Sequence, residues 1–285
     1  MIRPIHVVVV AFHRPVQFDR CLAALGGAVA ITVVDNSRSA SVRSVVLKHG
    51  AEYIDPGDNL GFGAGVNVAL RRLLKGPPRD VLLLNPDAIL APYDLEALID
   101  YLHVPDNERV GAVSPRLESG DSCEQRVVWP FPSPLRAWGE AFGLGRLPAR
   151  RTFVIGAVLL LRWEALCQVG LFDERYFLYA EEADWQRRAV GFGWSSLLCS
   201  DAVAGHVGAG TSDDPLRREA LFHAAQETYI RKWHGPLGWL LYRAAVLFGA
   251  SVRALVLVGD RRTQAIQRAL LYLRGPSRCA ALVRE

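Results

Sequence analysis

The sequence has few cysteines, and they lack the spacings of a structural framework. Its five cysteines are scattered along 285 residues without a CxxC pair, so neither a disulfide scaffold nor a cysteine zinc site is expected. The N-terminal residues enter a short apolar run, without the longer apolar region and cleavage site of a signal peptide. These absences predict a cytoplasmic protein.

An uncharged apolar run of about 18 residues, the mark of a transmembrane helix, is also missing. Arg243 and Arg253 interrupt the apolar stretches near the C-terminus. Residues 215–285 carry a net charge of +8, whereas residues 1–214 carry −4. A basic region with apolar runs fits the inner surface of a cell membrane better than nucleic acid. A helical region packed on the rest of the protein is the alternative.

Four short apolar runs alternate with helical patterns in the first third of the chain. They lie at residues 7–10, 31–34, 53–54 and 81–84. This alternation predicts an α/β fold with a mostly parallel sheet flanked by helices. Ligands bind beyond the carboxyl ends of the strands in such sheets, so the residues after each run are candidates for a site.

The rest of the chain predicts a catalytic domain over residues 1–235 and a basic, apolar helical extension over residues 236–285. Residues 123–151 are rich in Pro, Trp and Arg without a clear period, which predicts a long loop or lid. A strand is predicted at residues 153–161 and a helix at residues 216–233.

Polar residues follow each of the four runs. They are Phe12 to Arg14, Asp35, the glycine-rich segment from Asn59 to Asn67 with Gly61, and Asn85 with Asp87. Glycines that open a helix can bring backbone amides close to an anionic group, or they can serve a purely structural turn. Asp87 fits a magnesium or manganese ion that takes its other oxygens from phosphates and water, or a turn that caps the next helix.

A cluster of acids stands further along the chain. Glu181, Glu182 and Asp184 lie within four positions and precede Trp185. Neighbouring carboxylates raise one another's proton affinity, as a general base near neutral pH requires, although acids also favour the first turn of a helix. His206 follows an apolar run and could complete a metal site or serve the structure alone.

Taken in order, these motifs resemble the family 2 glycosyltransferases of GT-A (Rossmann-like) fold, and in particular their bacterial rhamnosyltransferase-like branch. The resemblance covers roughly residues 5–235. It implies that Asp35 contacts the nucleoside of the donor. Two segments are expected to surround the base, ribose and phosphates of the donor, one containing Phe12 and Arg14 and the other containing Asn59, Gly61 and Asn67.

The resemblance also assigns the metal and catalytic positions. Asp87 matches the last acid of the DxD-type metal motif, in which Asn85 replaces the first acid, and His206 matches a downstream histidine that can help to hold the metal. Glu182 falls at the catalytic carboxylate of the ED motif, where aspartate is commoner. Glu181, Asp184 and Trp185 are the expected acceptor contacts.

The implied reaction transfers a sugar from a nucleoside-diphosphate donor with inversion at the anomeric carbon, assisted by Mg²⁺ or Mn²⁺. Thymidine-diphosphate rhamnose is the first expectation for the donor, followed by uridine-diphosphate hexoses including galactofuranose. A glycan, or a glycan on a polyprenyl lipid, is the expected acceptor, in cell-envelope polysaccharide synthesis. Two alternatives remain: a nucleotidyltransferase, disfavoured because only Arg14 follows the first strand to bind a triphosphate, and a non-catalytic sugar-nucleotide-binding or scaffold protein.

Overall fold

A computed structural model describes residues 3–27, 29–120, 123–144, 149–206 and 214–283. The chain divides into two compact units. The first unit comprises Met1–Trp129, Thr152–Phe177 and Glu181–Thr211, and the second comprises Pro130–Arg151, Leu178–Ala180 and Ser212–Glu285. The predicted boundary at residue 235 therefore lies inside the second unit, which also takes in much of the stretch predicted as a lid.

Eleven strands lie in the described residues, nine in one sheet and two in a short separate pair. In chain order they are β1 Ile5–Ala11, β2 Ala30–Asp35, β3 Glu52–Ile54, β4 Asp80–Leu84, β5 Ala88–Leu90, β6 Val110–Glu118, β7 Glu124–Gln125, β8 Val128–Pro130, β9 Thr152–Val154, β10 Val158–Leu161 and β11 Ser195–His206. The order in the sheet is β3-β2-β1-β4-β10-β6-β11-β5, with β7 added beside β6, and β8 pairs with β9.

The first four strands form the parallel half of the sheet, as the sequence predicts. Val9 lies between Val33 of β2 and Leu84 of β4, and all three side chains are fully buried. This burial explains why the strands are continuous apolar runs without alternation. The parallel register brings the carboxyl ends of β1, β2 and β4 to the same edge, where Asp35 and Asn85 are found.

The other half of the sheet departs from the parallel prediction, although the α/β class holds. β10 runs antiparallel to both β4 and β6, whereas β11 is parallel to β6 and antiparallel to β5. The strand predicted at residues 153–161 is broken into β9 and β10 by a turn at residues 155–157. A doubly buried apolar strand carries no sequence signal for its direction, so the mixed sheet could not be foreseen.

Helices cover the sheet and position the loops at its edge. Those of the first unit are α1 Pro15–Ala24, α2 Ala40–Lys48, α3 Phe62–Leu73, α4 Pro92–His103, α6 Trp163–Val169 and α7 Glu181–Gly191. α3 packs against β1 and β2. α7 begins at the acid cluster, so its first turn contributes the acidic residues of the candidate site.

The second unit is helical, with α5 Pro134–Ala141, α8 Pro215–Val256, α9 Gly259–Arg274 and α10 Pro276–Ala281. α8 packs against α5, α9 and α10. α8 is interrupted at Gly235, whose φ of 68° is non-helical, immediately before Pro236. By length and composition alone α8 could cross a membrane, with a mean hydropathy of 1.4 over its best window, 22% of which is buried.

Candidate active site

The carboxyl end of β2 is shaped by Asp35. This fully buried carboxylate accepts hydrogen bonds from Ser37 N (2.9 Å), Ser37 Oγ (2.5 Å), Ser39 N (2.9 Å) and Tyr53 Oη (3.1 Å). Asp35 thus fixes the turn that follows β2. A direct contact with a nucleoside, as the resemblance implies, would have to replace one of these four bonds.

The next residue, Asn36, connects β2 to the start of α3. Its Nδ2 donates to Gly61 O at 2.9 Å. Its Oδ1 is buried and has no hydrogen-bond partner among the described residues. A buried acceptor without a partner costs free energy unless a ligand or a water satisfies it, which makes this oxygen a candidate contact for a bound group.

The glycine-rich segment serves close packing at the start of α3. Gly61 has a φ of 81°, and a Cβ on it would lie 2.1 Å from Phe177 O. Asn59 Oδ1 accepts from Gly61 N at 3.1 Å, and Phe62 N donates to Phe177 O at 2.9 Å. At least two of the first amides at this helix terminus are therefore occupied by the protein itself, which favours the structural interpretation of the turn.

Further along α3, two glycines and one asparagine continue the same packing. A Cβ on Gly63 would lie 3.3 Å from the Cβ of Glu181, and one on Gly65 would lie 2.9 Å from Val10 Cγ1. Asn67 is fully buried, and its amide donates to Phe172 O while its Oδ1 accepts from Phe172 N, both at 2.9 Å. Asn67 thus ties α3 to the segment that precedes α7, and its assignment as a donor contact stays a prediction.

The loop after β1 has an unusual backbone. His13 and Arg14 both adopt left-handed conformations, with φ of 56° and 55°. The ring of Phe12 is 37% exposed and lies edge-on to the ring of His13, with centroids 4.5 Å apart. Consecutive left-handed residues other than glycine are uncommon and cluster at functional sites. The structure leaves Phe12 accessible beside the sheet edge.

Asp87 and His206, which the resemblance assigns to the metal, lie close together in the structure. Asp87 Oδ1 lies 3.6 Å from His206 Nε2, and the backbone of His206 pairs with Ala88 between β11 and β5. Gln125 fixes the other side of the ring: its Nε2 donates to His206 O at 2.7 Å, and its Oε1 lies 3.0 Å from His206 Nδ1. Since that amide oxygen can only accept, Nδ1 carries the proton and the lone pair of Nε2 faces Asp87.

Burial determines the charge state of this histidine. It lowers the pKa of His206, and the neighbouring Asp87 carboxylate raises it by a smaller amount. The neutral imidazole is favoured, so two electron-pair donors face each other without a proton between them. Such an arrangement is unfavourable unless a cation lies between them, and neutral imidazole and carboxylate are both ligands for divalent ions. In the described residues these two side chains are not joined by a third His, Cys, Asp or Glu ligand.

Glu182 lies against the turn between β9 and β10. A Cβ on Gly156 would lie 3.3 Å from the Cβ of Glu182, so the absence of a side chain at position 156 makes room for the carboxylate. Burial raises the pKa of Glu182, and hydrogen bonds from the backbone at Glu182, Ala183 and Gly156 lower it by less. Its Oε2 is inaccessible and has no hydrogen-bond partner in the described part of the chain.

The same turn joins the base candidate to the metal candidate. The next residue, Ala157, accepts a hydrogen bond from Asn85 N at 2.8 Å through its backbone oxygen. Glu182 and the segment of Asn85 to Asp87 thus contact the same two-residue stretch, Gly156 and Ala157. The side chains of Asp87, His206 and Glu182, which are far apart in sequence, are brought to one region of the first unit.

Two of the expected acceptor contacts are instead part of the core. Asp184 is fully buried, where it accepts from Arg188 Nε (3.1 Å) and Tyr176 Oη (3.3 Å). Trp185 is also fully buried and donates from Nε1 to Gly170 O at 2.9 Å. Neither side chain is exposed in this structure, and their assignment as acceptor contacts stays a prediction. Glu181 is buried as well, with 4% of its surface exposed.

Two residues that shape the site, Gln125 and Gly156, were not predicted from the sequence. Gln125 lies in the stretch predicted as a lid, and nothing in that stretch marks its bonds to His206. Gly156 lies inside the strand predicted at residues 153–161. Glycine inside an apolar strand signals a bulge, a bend or a close approach, and that signal could have identified the turn.

Comparisons with known proteins bear on this arrangement. No protein-family model matches the chain. It is 29% identical, over 272 residues, to the N-acetylglucosaminyl-diphospho-decaprenol L-rhamnosyltransferase of Mycobacterium tuberculosis, covering 82% of this chain and 88% of that protein. It is 26% identical over 197 residues to the low-salt glycan biosynthesis hexosyltransferase Agl10 of Haloferax volcanii, covering 66% of this chain and 62% of the relative.

Solved structures share the fold at lower identity. The TarS fragment 1–349 of S. aureus matches with a TM-score of 0.52 and 14% identity, covering 98% of this chain and 91% of that one. Glucosyl-3-phosphoglycerate synthase of Mycobacterium tuberculosis, solved with Mn²⁺, uridine diphosphate and glucosyl-3-phosphoglycerate, matches with a TM-score of 0.53 and 18% identity, covering 81% and 80%.

The fold and the sequence relatives together define a glycosyltransferase of the GT-A class. The curated relatives and the structural neighbours support a family 2 glycosyltransferase, so the resemblance drawn from the ordered motifs is confirmed. The nucleotidyltransferase and scaffold alternatives are accordingly set aside in favour of an enzyme that transfers a sugar.

Proposed function

We propose that the enzyme transfers a sugar from a nucleoside diphosphate to an acceptor hydroxyl with inversion, using Glu182 as general base and a divalent cation held by Asp87 and His206. One observation carries the proposal: Glu182 and the Asn85 to Asp87 segment contact the same turn at Gly156 and Ala157. A base and a cation site beside one turn match the two needs of the reaction, which are proton removal and stabilisation of the leaving diphosphate.

The residues present fit a Mg²⁺ or Mn²⁺ ion. The Nε2 lone pair of His206 and the carboxylate of Asp87 face each other at 3.6 Å, and Gln125 holds the ring in the required tautomer. Asp87 and His206 would hold the ion, and phosphate oxygens and water would supply its remaining ligands. When bound, the cation would offset the negative charge on the departing diphosphate.

Glu182 is suited to take the proton of the attacking hydroxyl. Burial raises the pKa of Glu182, which makes it a stronger base than an exposed glutamate, and backbone hydrogen bonds oppose that rise by less. The carboxylate of Glu182, a half-buried residue beside the Gly156 turn, is the group we assign to accept the proton. Attack from the face opposite the leaving group then inverts the configuration at the anomeric carbon.

The relatives suggest the substrates. The Mycobacterium tuberculosis relative is named for a lipid-linked N-acetylglucosaminyl diphosphate acceptor and for rhamnose. We therefore propose a rhamnosyl donor, with thymidine diphosphate as its carrier, and a glycan on a polyprenyl diphosphate as its acceptor in cell-envelope synthesis. The hexosyltransferase name of the Haloferax volcanii relative favours a second candidate, a uridine-diphosphate hexose. A lipid-linked acceptor also implies that the enzyme acts at the inner face of the cell membrane.

A donor screen tests this proposal. The purified chain is incubated with Mn²⁺, a polyprenyl-diphosphate-linked N-acetylglucosamine and either thymidine-diphosphate rhamnose or uridine-diphosphate hexoses, and NMR gives the configuration of the new linkage. We expect one donor to be used, with inversion and only when the cation is present. Retention would exclude Glu182 as the base, and the absence of both transfer and donor hydrolysis would point to a binding protein.

A further inference from the structure

A basic cavity lies entirely within the second unit, apart from the residues assigned to catalysis. It has a volume of about 220 Å³ and is lined by side chains of α8 and by the region where α9 meets α10. Four of its lining residues are Arg231, Arg243, Arg274 and Arg278. The volume is below the roughly 300–1,000 Å³ of sites for drug-sized ligands, so it suits a single charged group.

The charge of this cavity is only partly neutralised by the protein. The acidic residue of its lining, Glu227, pairs with Arg231 at 2.8 Å and accepts from Ser277 Oγ at 2.9 Å. Arg243 donates to the backbone oxygens of Tyr272 (2.9 Å) and Leu273 (3.1 Å) at the end of α9. Arg243 is thereby held in place, but among the described residues its positive charge is not paired with a carboxylate.

Arg274 and Arg278 differ from the other two arginines. Both side chains are exposed, and neither has an ion pair or a side-chain hydrogen bond within the described residues. With Glu227 neutralised by Arg231, the cavity retains about three uncompensated positive charges. Guanidinium groups in such a cluster match the oxygens of a phosphate, which they bind through paired hydrogen bonds.

The surface beside the cavity identifies the kind of phosphate. Leu273 lines the cavity and is 61% exposed, and it continues a stripe along α9 with Ile266 and Leu270, which are 41% and 43% exposed. Positions 266, 270 and 273 share one face of a helix. An exposed apolar face next to a basic cavity is complementary to a lipid bilayer, which offers acyl chains beside phosphate headgroups.

We propose that this cavity binds the phosphate of an anionic membrane lipid, while the Ile266, Leu270 and Leu273 face of α9 enters the interfacial layer. Residues 215–285 carry a net charge of +8. Under this proposal, part of that charge forms a defined binding site and not a diffuse basic surface. The proposal does not depend on the transfer reaction, since it concerns binding in the absence of donor and acceptor.

The test is flotation of the full-length protein with vesicles of phosphatidylcholine alone or with 30% phosphatidylglycerol. The Arg274→Gln/Arg278→Gln double variant removes the two arginines of the cavity that have no side-chain partner in the described part of the chain. Each basic residue near an anionic surface contributes about fivefold to partitioning, so we expect a loss of roughly 30-fold on the phosphatidylglycerol vesicles. Unchanged thermal unfolding shows that the variant is folded, as expected for two exposed side chains.

The matched control is Arg261→Gln/Arg262→Gln, which removes the same charge from exposed residues at the other end of α9. These positions are about 20 Å away along the helix, at 1.5 Å per residue. We expect this control to lose less than about fivefold. Equal losses in the two double variants would overturn the proposal in favour of a diffuse basic surface.

Inorganic phosphate separates a lipid site from a site for a soluble anion. Calorimetry with phosphate alone is expected to give only weak binding, since the apolar face then contributes nothing. Tight binding of free phosphate that Arg274→Gln/Arg278→Gln abolishes, together with no binding to either vesicle, would overturn the assignment to a lipid. Failure of sugar transfer in the donor screen would leave this result unaffected.

Discussion

Replacement of Gly61 by alanine tests how the start of α3 is held against the segment that leads to α7. The φ of 81° and ψ of −176° of Gly61 belong to a region that side-chain-bearing residues rarely adopt, which costs about 1–3 kcal/mol. The new Cβ would lie 2.1 Å from Phe177 O. Relief of that overlap costs about a further 1–3 kcal/mol, and loss of the Phe62 to Phe177 hydrogen bond costs about 1 kcal/mol.

Gly57→Ala provides the matched control. Gly57 has a similar φ of 88°, but nothing lies within 4 Å of a Cβ placed on it. The Gly57→Ala variant therefore has the backbone strain without the steric overlap. In urea unfolding we expect Gly61→Ala to lose about 2–4 kcal/mol more free energy of unfolding than Gly57→Ala. Equal losses would refute the claim that close contact with Phe177 explains the glycine.

Three further predictions concern the cation site and the base. Asp87→Ala should lower turnover by on the order of 10²-fold or more, and an excess of chelator should lower the turnover of the wild type to the same extent. Full activity in either case would exclude a role for the cation in the reaction. Gln125→Leu should weaken Mn²⁺ binding about 10–100-fold in the presence of nucleoside diphosphate, because the His206 tautomer is no longer fixed; unchanged affinity in calorimetry would exclude that role. Because the pKa of Glu182 is raised, its carboxylate ionises at a higher pH than an ordinary glutamate does. We therefore expect kcat/KM to rise with pH through that higher range. A kcat/KM that stays constant there would contradict the assignment of Glu182 as base.

The parallel half of the sheet could be predicted because its cause is local in sequence. Continuous apolar runs such as residues 7–10 and 81–84 are long enough for strands, and the polar residues that end them mark the sheet edge. The pairing of Asp87 with His206 was anticipated only through the family resemblance. Neither spacing nor composition relates two positions so far apart in the chain.

The features that could not be predicted from the sequence depend on contacts between residues that are distant in the chain. Trp185 and Asp184 look like site residues because they adjoin Glu182, but one turn of α7 is enough to carry them into the core. Residues 134–141 have no clear period in sequence, yet they form α5 and pack against α8. A truncation near Gly235 would cut through α8 inside the second unit, so it would not isolate a separate tail.

Glu182→Gln tests the central claim most directly, because it removes the proton acceptor and preserves size and neighbours. With the donor and acceptor identified by the screen, single-turnover transfer should slow by about 10²–10⁴-fold while donor affinity stays unchanged. Glu181→Gln, a neutralised neighbour in the same helical turn, should be milder. A transfer rate for Glu182→Gln within about threefold of wild type would contradict the assignment of Glu182 as the base.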